Sequence, residues 1–218
     1  KLSALDSNPD SSLFLPHTCI SDTSQFLNNL DSLLDLWYVR VSDQTKYLER
    51  APSGRDTNYI PSFSDSVYIK RISSINSVIP LVYNDKVKAY IDVYSNRRRE
   101  QVEIMLGLSE YFFPIFEDIF IKSNLPQELK YLSIIESALN SKARSKAGAV
   151  GLWQFMYYTG KLQRLKIDSY IDERSDLFKS TYAAAKYLSE LHGIFNDWML
   201  AIAAYNCGPG NVRKAISR

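Results

Sequence analysis

The chain is poor in the residues from which metal and redox centres are built. Two cysteines, Cys19 and Cys207, make neither a disulfide framework nor a thiolate metal site. A single bridge between them would need tightly constrained geometry. The two histidines, His17 and His192, lie in unlike contexts and suggest neither metal ligands nor a nucleophile's partner. No apolar run is long enough to span a bilayer, and nothing at Lys1 resembles a signal peptide. Because the sequence starts without Met, a processed or trimmed segment is expected. Net charge is only +2, and no basic block is long enough to argue for nucleic acid. Arg97, Arg98 and Arg99 read as the solvated first turn of a helix. Internal repeats and runs of alternating strand pattern are also missing, so the fold is expected to be all-α.

What is present is an ordinary core. Of 218 residues, 45% are apolar, enough for one large domain or one domain with an attached segment. Fifteen Tyr and three Trp are many; planar rings suit sugar faces, though most will be core. Residues 1–24, rich in Ser, Asp, Asn and Pro, read as a loosely packed arm. Phe26, Leu30, Leu33, Trp37 and Val41 follow helical spacing within residues 25–49. That stripe has too little partner surface of its own and is expected to pack onto the rest of the chain. A connector at 51–65 and a short helix at 66–75 follow.

Asn84 is a good N-cap for residues 85–94, and Asn96 begins the next helix, which Pro114 should kink or restart. Pro126 suits the first turn of a helix reaching about residue 140. At 100° per residue, Leu125, Leu129, Leu132 and Leu139 fall within about 80° of arc. Glu136 lies inside that arc. A carboxylate on a core-facing stripe either reaches a basic partner or holds its proton, and a held proton is what a general acid requires. Gly148 and Gly151 suggest a backbone that turns tightly or admits a close neighbour. Residues 152–156 read as the start of a short helix, with Gln154 the polar side chain among large apolar ones. Residues 168–176 form a polar loop whose acids look solvated. Asp176 can cap a helix to His192 and Gly193, and Asp197 caps one that carries Trp198, Ile202 and Tyr205 on one face. Gly208 sits where a left-handed C-cap belongs, and Pro209 blocks continuation.

Glu136-Ser137, Gly151-Leu-Trp-Gln154 and Ala203-Ala-Tyr205-Asn206-Cys-Gly208, in this order and spacing, resemble the goose-type lysozyme and soluble lytic transglycosylase superfamily. The closer likeness is to the membrane-bound lytic murein transglycosylase D group. It rests on the Leu-Pro-x-Glu-Leu lead-in at 125–129, Thr159-Gly160, Asp172-Glu-Arg174-Ser-Asp176 and Ser180-Thr181, and covers about residues 77–218. The resemblance implies a lysozyme-like helical domain at 77–218, with residues 1–76 an N-terminal arm and helical extension. It implies cleavage of the MurNAc-β-1,4-GlcNAc bond of peptidoglycan with a 1,6-anhydro product. Glu136 would be the acid. Ser137 would help seat the sugar, Gln154 and the adjoining Phe155 would contact it, Tyr205 would hold Glu136, and Asn206 would touch the saccharide. Ser180, which stands where relatives often carry Asn, would also contact the saccharide. No metal or organic cofactor is implied. The implied partners are glycan strands, with the protein a monomer outside the cytoplasm, in the periplasm or at the outer membrane. Any membrane association would come from a lipid anchor outside this chain, and any wall-binding repeats lie elsewhere. Met156-Tyr157-Tyr158 departs from the group's small, Pro-bearing turn. Two alternatives stand beside this reading: a water-using muramidase with Asp172 or Asp176 as second carboxylate, and an inactive wall-binding scaffold.

Overall fold

The computed structural model describes residues 63–218. Expectations for the arm, the stripe from Phe26 to Trp37, and a Cys19–Cys207 bridge lie outside the described residues. Eight α-helices occur among them: α1 (Asp65–Ser73), α2 (Asp85–Asp92), α3 (Arg99–Lys122), α4 (Leu132–Ser137), α5 (Tyr157–Leu162), α6 (Leu177–Phe195), α7 (Trp198–Cys207) and α8 (Pro209–Ile216). Strand pairing among the described residues is limited to isolated bridges, Arg144 with Val150, Val150 with Phe155, and Ile167 with Asp172. The fold is helical, as the sequence leads one to expect.

Side-chain caps set three of the eight helix starts. The Asn84, Asp176 and Asp197 side chains accept from the backbone N–H groups of Val87, Lys179 and Leu200, which would otherwise lack partners. Several boundaries differ from the sequence reading. A π-turn, Val93–Arg97, separates α2 from α3, so the three arginines straddle the junction instead of opening a helix. Pro114 lies inside an unbroken α3. Burial of Phe116, Ile119 and Phe120 offsets the missing donor there. The segment after Pro126 is a 3₁₀ stretch, Gln127–Tyr131, before α4, not one long helix. Gly208 has φ +84 and ψ 145, a positive-φ conformation that favours glycine but is not the left-handed helical one, and Pro209 opens α8 at once.

The core forms where α3, α4, α6 and α7 meet, and Trp153 lies inside it, fully buried. Its ring packs 5.0 Å from Phe116 and 5.7 Å from Phe120 of α3, and its indole N–H donates to Thr181 of α6 at 3.0 Å. Ala184, Ala201 and Ala204 are fully buried, and such small side chains let α6 and α7 approach closely. Ile79 joins the same core, and the Val78 N–H donates to Glu128 at 2.7 Å. The chain from about Ser77 is thereby tied to the helical body. Across the boundary drawn at residue 76, Asp65 of α1 pairs with Lys88 and accepts from Tyr83. Both links lie at the surface.

Candidate active site

Glu136 occupies the last turn of α4, and the backbone then reverses. Ala138 and Leu139 both adopt left-handed conformations, φ 51 and φ 64. Each costs about 1 kcal/mol or more for a residue with a Cβ. Burial of Leu139 in the core helps hold the turn. Ser137 anchors it from the other side: its buried hydroxyl lies 3.0 Å from the Ser133 carbonyl and 2.9 Å from that of Leu152. The second contact joins the Glu136 helix to the loop before α5.

That loop is no helix, contrary to the sequence reading of 152–156. Gly151 and Gln154 have φ 85 and φ 46, which no right-handed helix admits. Val150 and Phe155 exchange backbone bonds at 3.1 Å, and the Gly151 N–H donates to Ala143 at 2.9 Å. The Gln154 side-chain amide donates to the Gly151 carbonyl at 2.8 Å and lies 3.4 Å from that of Ala143. The Trp153 carbonyl accepts from the Tyr205 hydroxyl at 2.7 Å. Ser137, Trp153 and Tyr205 thus fix α4, the loop and α7 to one another.

Glu136 keeps part of its surface open, yet its carboxyl lies deep among protein atoms. Burial pushes its pKa from an ordinary 4.5 to about 8. It forms no ion pair among the described residues, so the reading of a Glu reaching for a basic partner fails. Burial holds the Tyr205 phenol well above its usual range, and the nearby Glu136 charge pushes it the same way. A buried carboxyl that keeps its proton at neutral pH can act as a general acid.

The acids of the following loop are occupied. Asp172 takes a forked pair of bonds from Arg174, 2.9 Å from Nε and 2.8 Å from Nη2, and this guanidinium holds its carboxyl below the ordinary range. Asp176 caps α6. Neither is a free second carboxylate. Asp172 and Arg174 are also less solvated than a polar loop suggests, since Arg174 is 5% exposed. Sequence reasoning missed this pair, because charged residues in a polar stretch read as surface.

Four expected contacts change. Ser137 is buried and turns its hydroxyl to the Ser133 and Leu152 carbonyls. Phe155 is buried, packed 6.3 Å from Tyr205 and 6.4 Å from Tyr187. Ser180 is fully buried on α6, its hydroxyl without a partner among the described residues. Tyr205 lies near Glu136 but gives its proton to Trp153. Gln154 is buried, and Asn206 is half-buried on α7 beside Tyr205. Tyr205→Phe should therefore lower stability by about 1–3 kcal/mol, leaving a buried carbonyl unpaired. The pH at which Glu136 ionises should stay put, and carboxyl-carbon NMR would show it. An upward move would restore a direct bond between the two.

Residues 114–218 match the family described as Transglycosylase SLT domain. The Escherichia coli K12 protein named membrane-bound lytic murein transglycosylase D is 37% identical over 134 residues, 61% of this chain and 29% of its own length. A protein of Alteromonas sp. strain M-1, provisionally named a tributyltin chloride resistance protein, is 43% identical over 97 residues, 44% of this chain and 47% of its own. A Haemophilus influenzae protein, provisionally named a soluble lytic murein transglycosylase, is 33% identical over 114 residues, 50% of this chain and 19% of its own. The chain thus spans under half the length of each of these relatives.

Proposed function

We propose that this chain carries the catalytic unit of a peptidoglycan lytic transglycosylase, with residues 77–218 as the cleaving domain and Glu136 as its single acid–base. The observation that carries the reading is a lone carboxyl, buried and without an ion-pair partner among the described residues. Glu136 is held proton-bearing by burial, while Asp172 is bound by Arg174 and Asp176 caps a helix. Most glycosidases that use water or a covalent intermediate need two carboxylates. One suffices when the substrate supplies its own nucleophile. Glu136 would give its proton to the glycosidic oxygen as the bond from C1 of MurNAc breaks, and the GlcNAc unit would leave with a free 4-hydroxyl. The C6 hydroxyl oxygen of the same MurNAc would then bond C1, and the Glu136 carboxylate would take the C6 hydroxyl proton. The acid is regenerated and no water is consumed.

Asn206 and Gln154 remain the proposed saccharide contacts, with Ser137, Phe155, Ser180 and Tyr205 building the walls behind them. The similarity to murein enzymes supports glycan strands as substrate and a location outside the cytoplasm. An inactive scaffold would have no use for a protonated acid. Mass analysis of fragments released from purified sacculi tests the proposal. Products lighter by one water than the reducing-end fragments are expected. Reducing ends alone would overturn it in favour of a muramidase.

A further inference from the structure

We propose that Arg174, locked by Asp172, is a positioning residue that clamps both ends of the loop at 148–155 against the Glu136 helix; this rests on the transglycosylase reading. A buried guanidinium is costly unless its donors are satisfied. Here Nε and Nη2 go to Asp172, and Nη1 donates to the carbonyls of Gly148 and Phe155, each at 3.1 Å. Those two carbonyls are the first and last of the loop. An ion pair that merely stiffened its own segment would leave the loop's backbone alone.

Two glycines from other segments make room for this residue. A Cβ on Gly151 would overlap the Arg174 carbonyl oxygen and stand 2.8 Å from its carbon. A Cβ on Gly160, in α5, would lie 3.2 Å from Cδ and 3.3 Å from Cγ of the Arg174 stem, and 2.9 Å from Ile167 Cδ1. Backbone, stem and head group of Arg174 are each fitted to the loop or to the helix after it. The loop in turn meets the Glu136 helix through Leu152 and Ser137, and α7 through Trp153 and Tyr205.

The loop brings no titratable side chain of its own, since residues 148–155 read Gly-Ala-Val-Gly-Leu-Trp-Gln-Phe. Neutral Tyr205 faces the acid from α7, and Ser137 adjoins it on α4. The Glu136 proton is held by burial, not by a neighbouring charge, so loosening the loop would admit water to the carboxyl. The same loosening would displace Gln154 and Trp153. Misplacement of about 1 Å near a reacting centre can cost a hundredfold in rate.

Arg174→Lys and Asp172→Asn in the full chain test this, because a lysine cannot fork onto Asp172 and still reach two carbonyls. Lys179→Met serves as control: it removes the exposed Lys179–Glu173 pair in the same region without touching the clamp. Turnover on soluble glycan strands should fall about tenfold to a hundredfold in either clamp variant, with KM changed much less. The Glu136 carboxyl, assigned by comparison with Glu136→Gln, should titrate at lower pH than in the parent protein. The control should change neither. A folded clamp variant with unshifted titration and turnover within about twofold of the parent would overturn the proposal. If Arg174→Lys fails to fold, Asp172→Asn carries the test, since it keeps the guanidinium but removes the charge that locks it in place. Should the parent release no anhydro product, the functional reading fails, while the titration still decides whether Arg174 governs the environment of Glu136.

Discussion

Glu136→Gln should fold and lose lytic activity by a factor of about 100 or more, the usual worth of general acid–base catalysis. The amide matches the shape of the carboxyl but has no proton to give. Stability should move the other way, and the sign follows from linkage. Because burial raises the carboxyl from 4.5 to about 8, the folded protein binds a proton that the unfolded chain releases within that window. The wild type is therefore most favoured below the lower value and loses stability as pH rises through the upper one. The amide variant does not titrate. The two should unfold alike near the acid end of the window, and the variant should be the more stable by roughly 1–3 kcal/mol at its alkaline end. Thermal melts across that range, with turnover on sacculi, provide the check. A variant keeping more than about a tenth of parental turnover would remove Glu136 from catalysis.

Gly151→Ala should be the most damaging single methyl in the domain. At φ 85 the backbone is strained for any residue with a Cβ, and the added carbon would overlap the Arg174 carbonyl. Backbone cannot swing aside as a flexible side chain can, so either the loop or the Arg174 segment must move. A loss above about 3 kcal/mol, or failure to fold, is expected. Gly148→Ala provides the comparison. Its φ is 88, but nothing lies within 4 Å of a Cβ there, so only the conformational cost of about 1–2 kcal/mol applies. If denaturant melts showed equal losses for the two, close approach to Arg174 would not be the reason for Gly151.

Glu136 was legible because its position among Leu125, Leu129, Leu132 and Leu139 conflicts with its charge, and all four leucines are buried. That stripe pointed to the acid even though the segment is a 3₁₀ stretch and a short α-helix, since both place every third or fourth residue on one side. The partners of the site were less legible. Tyr205 was placed near Glu136 by the family resemblance, yet its hydroxyl proton goes to a carbonyl 52 residues away in sequence. Asp172 looked like a solvated loop acid and Arg174 was read only as part of a motif, because nothing local reveals that a guanidinium will meet the carbonyls of Gly148 and Phe155.

The sequence by itself determined the helical class, the caps at Asn84, Asp176 and Asp197, the apolar stripe and its odd carboxyl. These follow from periodicity and from side chains bonding their own neighbouring backbone. Tertiary structure alone decided the left-handed turn after Ser137, the inward aim of Ser137 and Ser180, and the buried clamp of Arg174. It also decided how firmly Glu136 keeps its proton. Each of these depends on atoms supplied by distant segments, and the desolvation that raises a pKa is a property of the assembled surroundings, not of the residue.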